Sequence, residues 1–93
     1  MSIPRLSEEE IARRLAEVPG WERAGQSIRR VFEWPSFKEA IGFVTRVAVL
    51  ADEADHHPDI LIEYRKVTLT LSTHDAGGLS TRDFDLARRI VGP

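Results

Sequence analysis

Cysteine is absent from the 93-residue chain. That excludes a disulfide framework, a thiolate nucleophile and any thiolate-bound metal. No apolar run is long enough to cross a bilayer, and the opening "MSIPRLSEEE" lacks the charged-then-apolar plan of a signal peptide. A cytoplasmic location is therefore the default expectation. A basic excess is missing too, since 13 Lys and Arg against 15 Asp and Glu give a formal charge of −2. Affinity for phosphate backbones draws on clustered Lys and Arg, so neither nucleic acid nor a membrane is an expected partner. Internal repeats, low-complexity tracts and linkers are also lacking, and the length suits one domain spanning residues 1–93. So small a domain is marginal alone, which makes association with further copies an expected source of burial. Histidine is scarce as well, with three residues, and all three fall in one window. His56 and His57 stand together in "DEADHHPDI", and His74 follows in "STHDAGG".

What is present reads as a folded globule, with 42% hydrophobic and 30% charged residues. Three helices are announced by their caps. In "LSEEEI", Ser7 with Glu10 forms a capping-box pattern, flanked by Leu6 and Ile11 as a hydrophobic staple. Ile11, Leu15 and Val18 then form an apolar stripe that stops at Pro19-Gly20. Ser36 and Glu39 repeat the cap before a second helix, on which Phe37, Ala40, Ile41, Val44, Val47, Ala48 and Ala51 recur at helical spacing. Phe43 and Leu50 lie outside that stripe, and so wide an apolar arc predicts two partners, the sheet and another subunit. This helix should end near Asp55, because the residue before Pro58 resists helical geometry. The third helix follows Gly77-Gly78, with Ser80 as cap, Asp83 at the third helical position and Leu79 with Phe84 as staple. Phe84, Leu86, Ala87, Ile90 and Val91 are its expected core residues.

Between the helices lie two hairpins. The first turns near Ala24-Gly25, with Ile28 to Trp34 as its second arm. In the second, "DILIEYRKVTLTLST", a turn at Arg65-Lys66 pairs Tyr64 with Val67, Ile62 with Leu69 and Ile60 with Leu71, all apolar. The same count sets His57 opposite His74 on the more polar face. Helix, hairpin, helix, hairpin, helix is an α+β order, with helices layered on one face of an antiparallel sheet.

The histidine window has three readings: solvated surface residues, a metal site, or an acid–base site. Adjacent histidines point different ways, unlike the paired ligands of a zinc-binding helix, and no HExxH occurs. His56 falls at the C-terminal end of the second helix, where the dipole favours a protonated imidazole. Such a histidine suits proton transfer near neutral pH. Asp52, one turn earlier, is placed to pair with His56, and Asp55 is a second carboxylate in reach. On local grounds Asp83 is a helix-capping carboxylate and Arg82 a surface charge.

The run Asp52-x-x-x-His56-His57-Pro58, followed by Tyr64, His74 and Asp83, resembles the signature of the pterin-4a-carbinolamine dehydratase family. The likeness extends through "LSEEE", "GWER", "GFVTRVA", "KVTLTLSTH" and "GLSTRDFDLA" over nearly the whole chain. The resemblance implies three helices on one face of a four-stranded antiparallel sheet. It also implies a hydro-lyase without cofactor or metal, which converts 4a-hydroxytetrahydropterin to quinonoid dihydropterin. Family dimers pair sheets across an edge and tetramers pack through helices, so a homodimer or homotetramer is implied. His56 and His74 are implied as acid–base residues and His57 as mainly substrate-binding, with Asp52 and Asp55 orienting the imidazoles. Pro58, Ile60, Arg82 and Asp83 are implied to support or line the site. Two positions depart from the pattern: Ile60 stands where many members carry an aromatic in HHPxW, and Asp52 where a glutamate is common. The same resemblance allows a non-catalytic alternative, a coactivator or assembly partner.

Overall fold

The computed structural model of the protein describes residues 3–93. Its elements follow in chain order: α1 (Glu8–Leu15), β1 (Glu22–Ala24), β2 (Ser27–Glu33), α2 (Phe37–Ala54), β3 (Asp59–Glu63), β4 (Lys66–Leu71), a 3-10 turn (His74–Ala76) and α3 (Thr81–Arg89). The four strands form one antiparallel sheet in the order β1-β2-β4-β3. All three helices lie on one of its faces, as the element order predicts. Among the described residues no helix is long and apolar enough to cross a membrane.

The caps are where the local sequence puts them. Ser7 Oγ accepts the Glu10 amide at 3.2 Å, and Ser36 Oγ accepts the Glu39 amide at 3.1 Å. Each satisfies a helix-end donor that has no partner inside its own helix. Ile28 and Phe32 of β2 with Val67, Leu69 and Leu71 of β4 supply the buried side of the sheet. Phe43 of α2 meets them, 4.6 Å from the Phe32 ring centre and 4.9 Å from that of Trp34. Such offset aromatic contacts add to the area they bury.

The core corrects the stripe expected on α2. Ala40, Phe43, Val47 and Ala51 are its buried residues, whereas Phe37 is 50% and Ile41 38% exposed. The apolar arc is wide enough for two stripes, and the sheet takes the one centred on Phe43. Val91 is likewise not a core residue. It lies past the end of α3 and is exposed.

Both hairpins turn slightly away from the expected positions. The first turns at Gly25-Gln26, where Gly25 has φ 63°. In the second, Glu63 pairs with Lys66, Ile62 with Val67 and Ile60 with Leu69. The turn is thus Tyr64-Arg65, two residues out of the expected pairing. A slip of two leaves every side chain on its face, so the apolar pattern cannot detect it. Charge does separate the registers: Lys66 lies between Glu63 of β3 and Glu33 of β2, an attractive cross-strand arrangement. The turn places Tyr64 in the left-handed region, at φ 57°.

Candidate active site

The site begins with the way α2 stops. Asp55 adopts φ 50° and ψ 45°, its amide reaching Asp52 O at 3.2 Å while the His56 amide reaches Ala51 O at 3.0 Å. This pair of bonds closes the helix and reverses the chain. The reversal sends His56 inward, where it is 8% exposed, and leaves His57 on the surface. On the far side of the site, β4 runs into Thr73, which bridges Gly78 through both backbone groups at 3.0 and 3.3 Å. The bridge closes a short loop that carries His74 on its 3-10 turn. Gly77 takes φ 70° to complete it, and Ser80 then caps α3.

Asp83 joins these pieces. Its side chain is fully buried. Oδ2 accepts the Ser80 amide at 3.0 Å, which makes Asp83 the acidic member of the cap, and also the Thr73 hydroxyl at 2.8 Å. Oδ1 lies 2.6 Å from Nε2 of His56. The partner of His56 is therefore Asp83, not Asp52 as helical spacing implied. Because the helix ends before His56, that residue leaves the face shared with Asp52, and Asp52 Oδ1 instead meets His57 Nε2 at 3.0 Å. This second pair is solvent-exposed, at 59% and 80% of the two side chains, and in water such pairs contribute little.

The three histidines come together. An open pocket of about 290 Å³ is lined by Asp55, His56, His57, His74 and Arg82, all expected site residues. Cross-strand pairing is not what unites them: extending the observed register sets His57 against Ser72, and the 3-10 turn brings His74 round. Ser72, Thr73 and Asp75 complete the lining and were not anticipated, although Thr73 and Asp75 flank His74 in sequence. Asp52 and Asp83 stand behind the lining as partners of His57 and His56. Pro58 and Ile60 do not line this pocket; Ile60 pairs with buried Leu69 on the helix-facing side of the sheet. Among the described residues no three His, Asp or Glu side chains are grouped to hold a metal ion. The pocket thus offers several imidazoles at different degrees of solvation, a guanidinium and two surface carboxylates, a set suited to moving protons on a polar ligand.

The family model described as Pterin 4 alpha carbinolamine dehydratase matches residues 4–92. The chain belongs to this family. A Roseiflexus sp. (strain RS-1) relative, provisionally named a pterin-4-alpha-carbinolamine dehydratase, is 59% identical over 86 residues, covering 92% of each chain. Among solved structures, one described as a transcriptional coactivator/pterin dehydratase from Brucella melitensis superposes with a TM-score of 0.89 at 34% identity, over 92% of this chain and 94% of that one. Another, described as a pterin dehydratase-like protein identified as a RuBisCO assembly factor in the alpha-carboxysome, gives a TM-score of 0.66 at 26% identity, over 76% and 84% of the two chains. The dehydratase family therefore accounts for the fold over nearly all the chain, and its members carry more than one kind of name.

Proposed function

We propose that this protein dehydrates 4a-hydroxytetrahydropterin to quinonoid dihydropterin, in the service of tetrahydropterin recycling. The observation that supports it best is the convergence of His56, His57 and His74 on one open pocket beside Arg82. Expelling the 4a-hydroxyl as water requires a proton on the departing oxygen and the loss of the proton on N5. The C4a–O bond breaks as the N5 lone pair forms the new double bond to C4a, and no redox partner is consumed. His56 and His74 carry these two transfers, and His57 holds the pterin. One positioned histidine contributes on the order of a hundred- to ten-thousand-fold to such a step. Asp83 fixes the His56 ring, since its carboxylate faces Nε2 and leaves Nδ1 for the ligand. Asp55 and Arg82 border the same space and shape the polar rim around the ring.

The protein acts in this reading as a cytoplasmic homodimer or homotetramer. The exposed apolar residues of α2, Phe37, Ile41 and Val49, support association through that helix. A non-catalytic role as a coactivator or assembly partner is the competing reading, favoured by the names of the two structural neighbours. The deciding measurement is the dehydration rate of synthetic 4a-hydroxytetrahydropterin at pH 7 with chelator present. A clear acceleration over the spontaneous reaction is expected. A rate equal to the spontaneous one would abandon the enzyme for the partner protein.

A further inference from the structure

We infer that Thr73 is a positioning residue for His56, acting through Asp83; the inference rests on the acid–base reading of the histidines. A carboxylate oxygen only accepts, so the Thr73 hydroxyl donates its single proton to Asp83 Oδ2 at 2.8 Å. Thr73 Oγ1 is then left as the acceptor for the Ser80 hydroxyl, 2.6 Å away. Ser80 Oγ in turn accepts the Arg82 amide at 3.2 Å. The bonds run one way, from the first turn of α3 through Ser80 and Thr73 into the carboxylate. Its other oxygen must take a proton from His56 Nε2 at 2.6 Å, which fixes the neutral ring as the Nε2–H tautomer with Nδ1 unprotonated.

Capping alone does not need Thr73. Ser80 and Asp83 close the end of α3 between themselves, through the Ser80 amide and Asp83 Oδ2. Thr73 comes from the end of β4, a different element, and its hydroxyl adds a donor that orients the carboxylate toward His56. Thr73 is 3% exposed and Ser80 and Asp83 are fully buried, so bulk water does not stand in for a lost hydroxyl. Thr73 also precedes His74 directly, and its backbone bridge to Gly78 closes the His74 loop. One residue thus ties the setting of His56 to the loop that carries His74.

The test compares Thr73→Val, which keeps the shape and removes the donor, with Thr73→Ser, which keeps the hydroxyl. Ring-nitrogen NMR of His56 in the ligand-free protein is the first readout and needs no turnover. In the wild type the Nε2–H tautomer should dominate; in Thr73→Val it should lose that dominance, and Thr73→Ser should restore it. On turnover, kcat should fall on the order of tenfold in Thr73→Val, the scale on which outer partners of a histidine act. KM should hold, and one limb of the pH–rate profile should move. An Nδ1–H tautomer in the wild type, or a His56 spectrum and pH profile unaltered by Thr73→Val, would overturn the inference. Should Thr73→Val not fold, an Nδ1–H tautomer in the wild type would still overturn the inference. A wild type that shows the tautomer but no dehydration would refute the enzyme reading and leave the arrangement around Thr73 standing.

Discussion

All three helices of this chain open with a serine cap and an acidic first turn, and the carboxylates of two of them, α1 and α3, have opposite surroundings. Glu8 of α1 is gripped at both oxygens by Arg23, at 2.6 and 3.0 Å, yet its side chain is 75% exposed. Asp83 of α3 meets an amide, a hydroxyl and an imidazole where Glu8 meets a guanidinium, and is wholly buried. The Arg23 hydrogen bond holds the Glu8 carboxyl below its usual range, partly opposed by desolvation and helped by the charges of Arg23 and Arg5. The two sets of contacts are alike in distance, and the surface pair is the weaker in energy. Water competes for every bond it makes, whereas nothing replaces a lost partner around Asp83.

The largest effect should come from Asp83→Ala. It strips acceptors from His56, Thr73 and the Ser80 amide together, and should cost several kcal/mol, since each buried donor left without an acceptor costs about 1–3 kcal/mol. Against a total stability of about 5–15 kcal/mol, urea unfolding would register it easily. A loss below about 1 kcal/mol would erase the contrast between the two carboxylates. His74→Ala probes the exposed part of the same site. It should leave the unfolding midpoint in place while slowing dehydration by on the order of a hundredfold or more; an unchanged rate would remove His74 from the chemistry. The smallest effect belongs to Arg23→Ala. NMR titration should find the Glu8 carboxyl back near its ordinary value, with the unfolding midpoint at neutral pH little altered. Because the folded carboxyl is held low, whatever stability the pair supplies is present above the unfolded pKa and is lost as pH falls through the folded one. Any gap between wild type and Arg23→Ala should therefore close in acid, and a gap that widened there would contradict the assignment.

The elements were legible in the sequence because their signals are local. Ser7, Ser36 and Ser80 each stand three residues ahead of an acidic side chain, and a period of two marks the strands. The hairpin register was not legible, since a shift of two keeps Ile60 and Ile62 on the same face, and only the Glu33-Lys66-Glu63 row tells the registers apart. The buried stripe of α2 was hidden by having too many apolar candidates: Phe37 and Phe43 both qualify, and the sheet chooses. The histidine window was visible as a cluster, and the resemblance supplied its expected chemistry. The partner of His56 was not visible, because Asp83 lies 27 residues along the chain and meets it only after Asp55 turns left-handed. Thr73 carried no mark of its own beyond standing next to His74.

The double duty of Asp83 bears on how relatives of this chain should be read. A descendant that gave up proton transfer would still need that carboxylate to start its third helix and to fill its interior, so selection for folding alone would retain it. His74 has no such second employment, being exposed on a loop. Loss of the histidine while the aspartate persists is the substitution pattern by which a former enzyme of this fold, turned to binding, would be told from a working one.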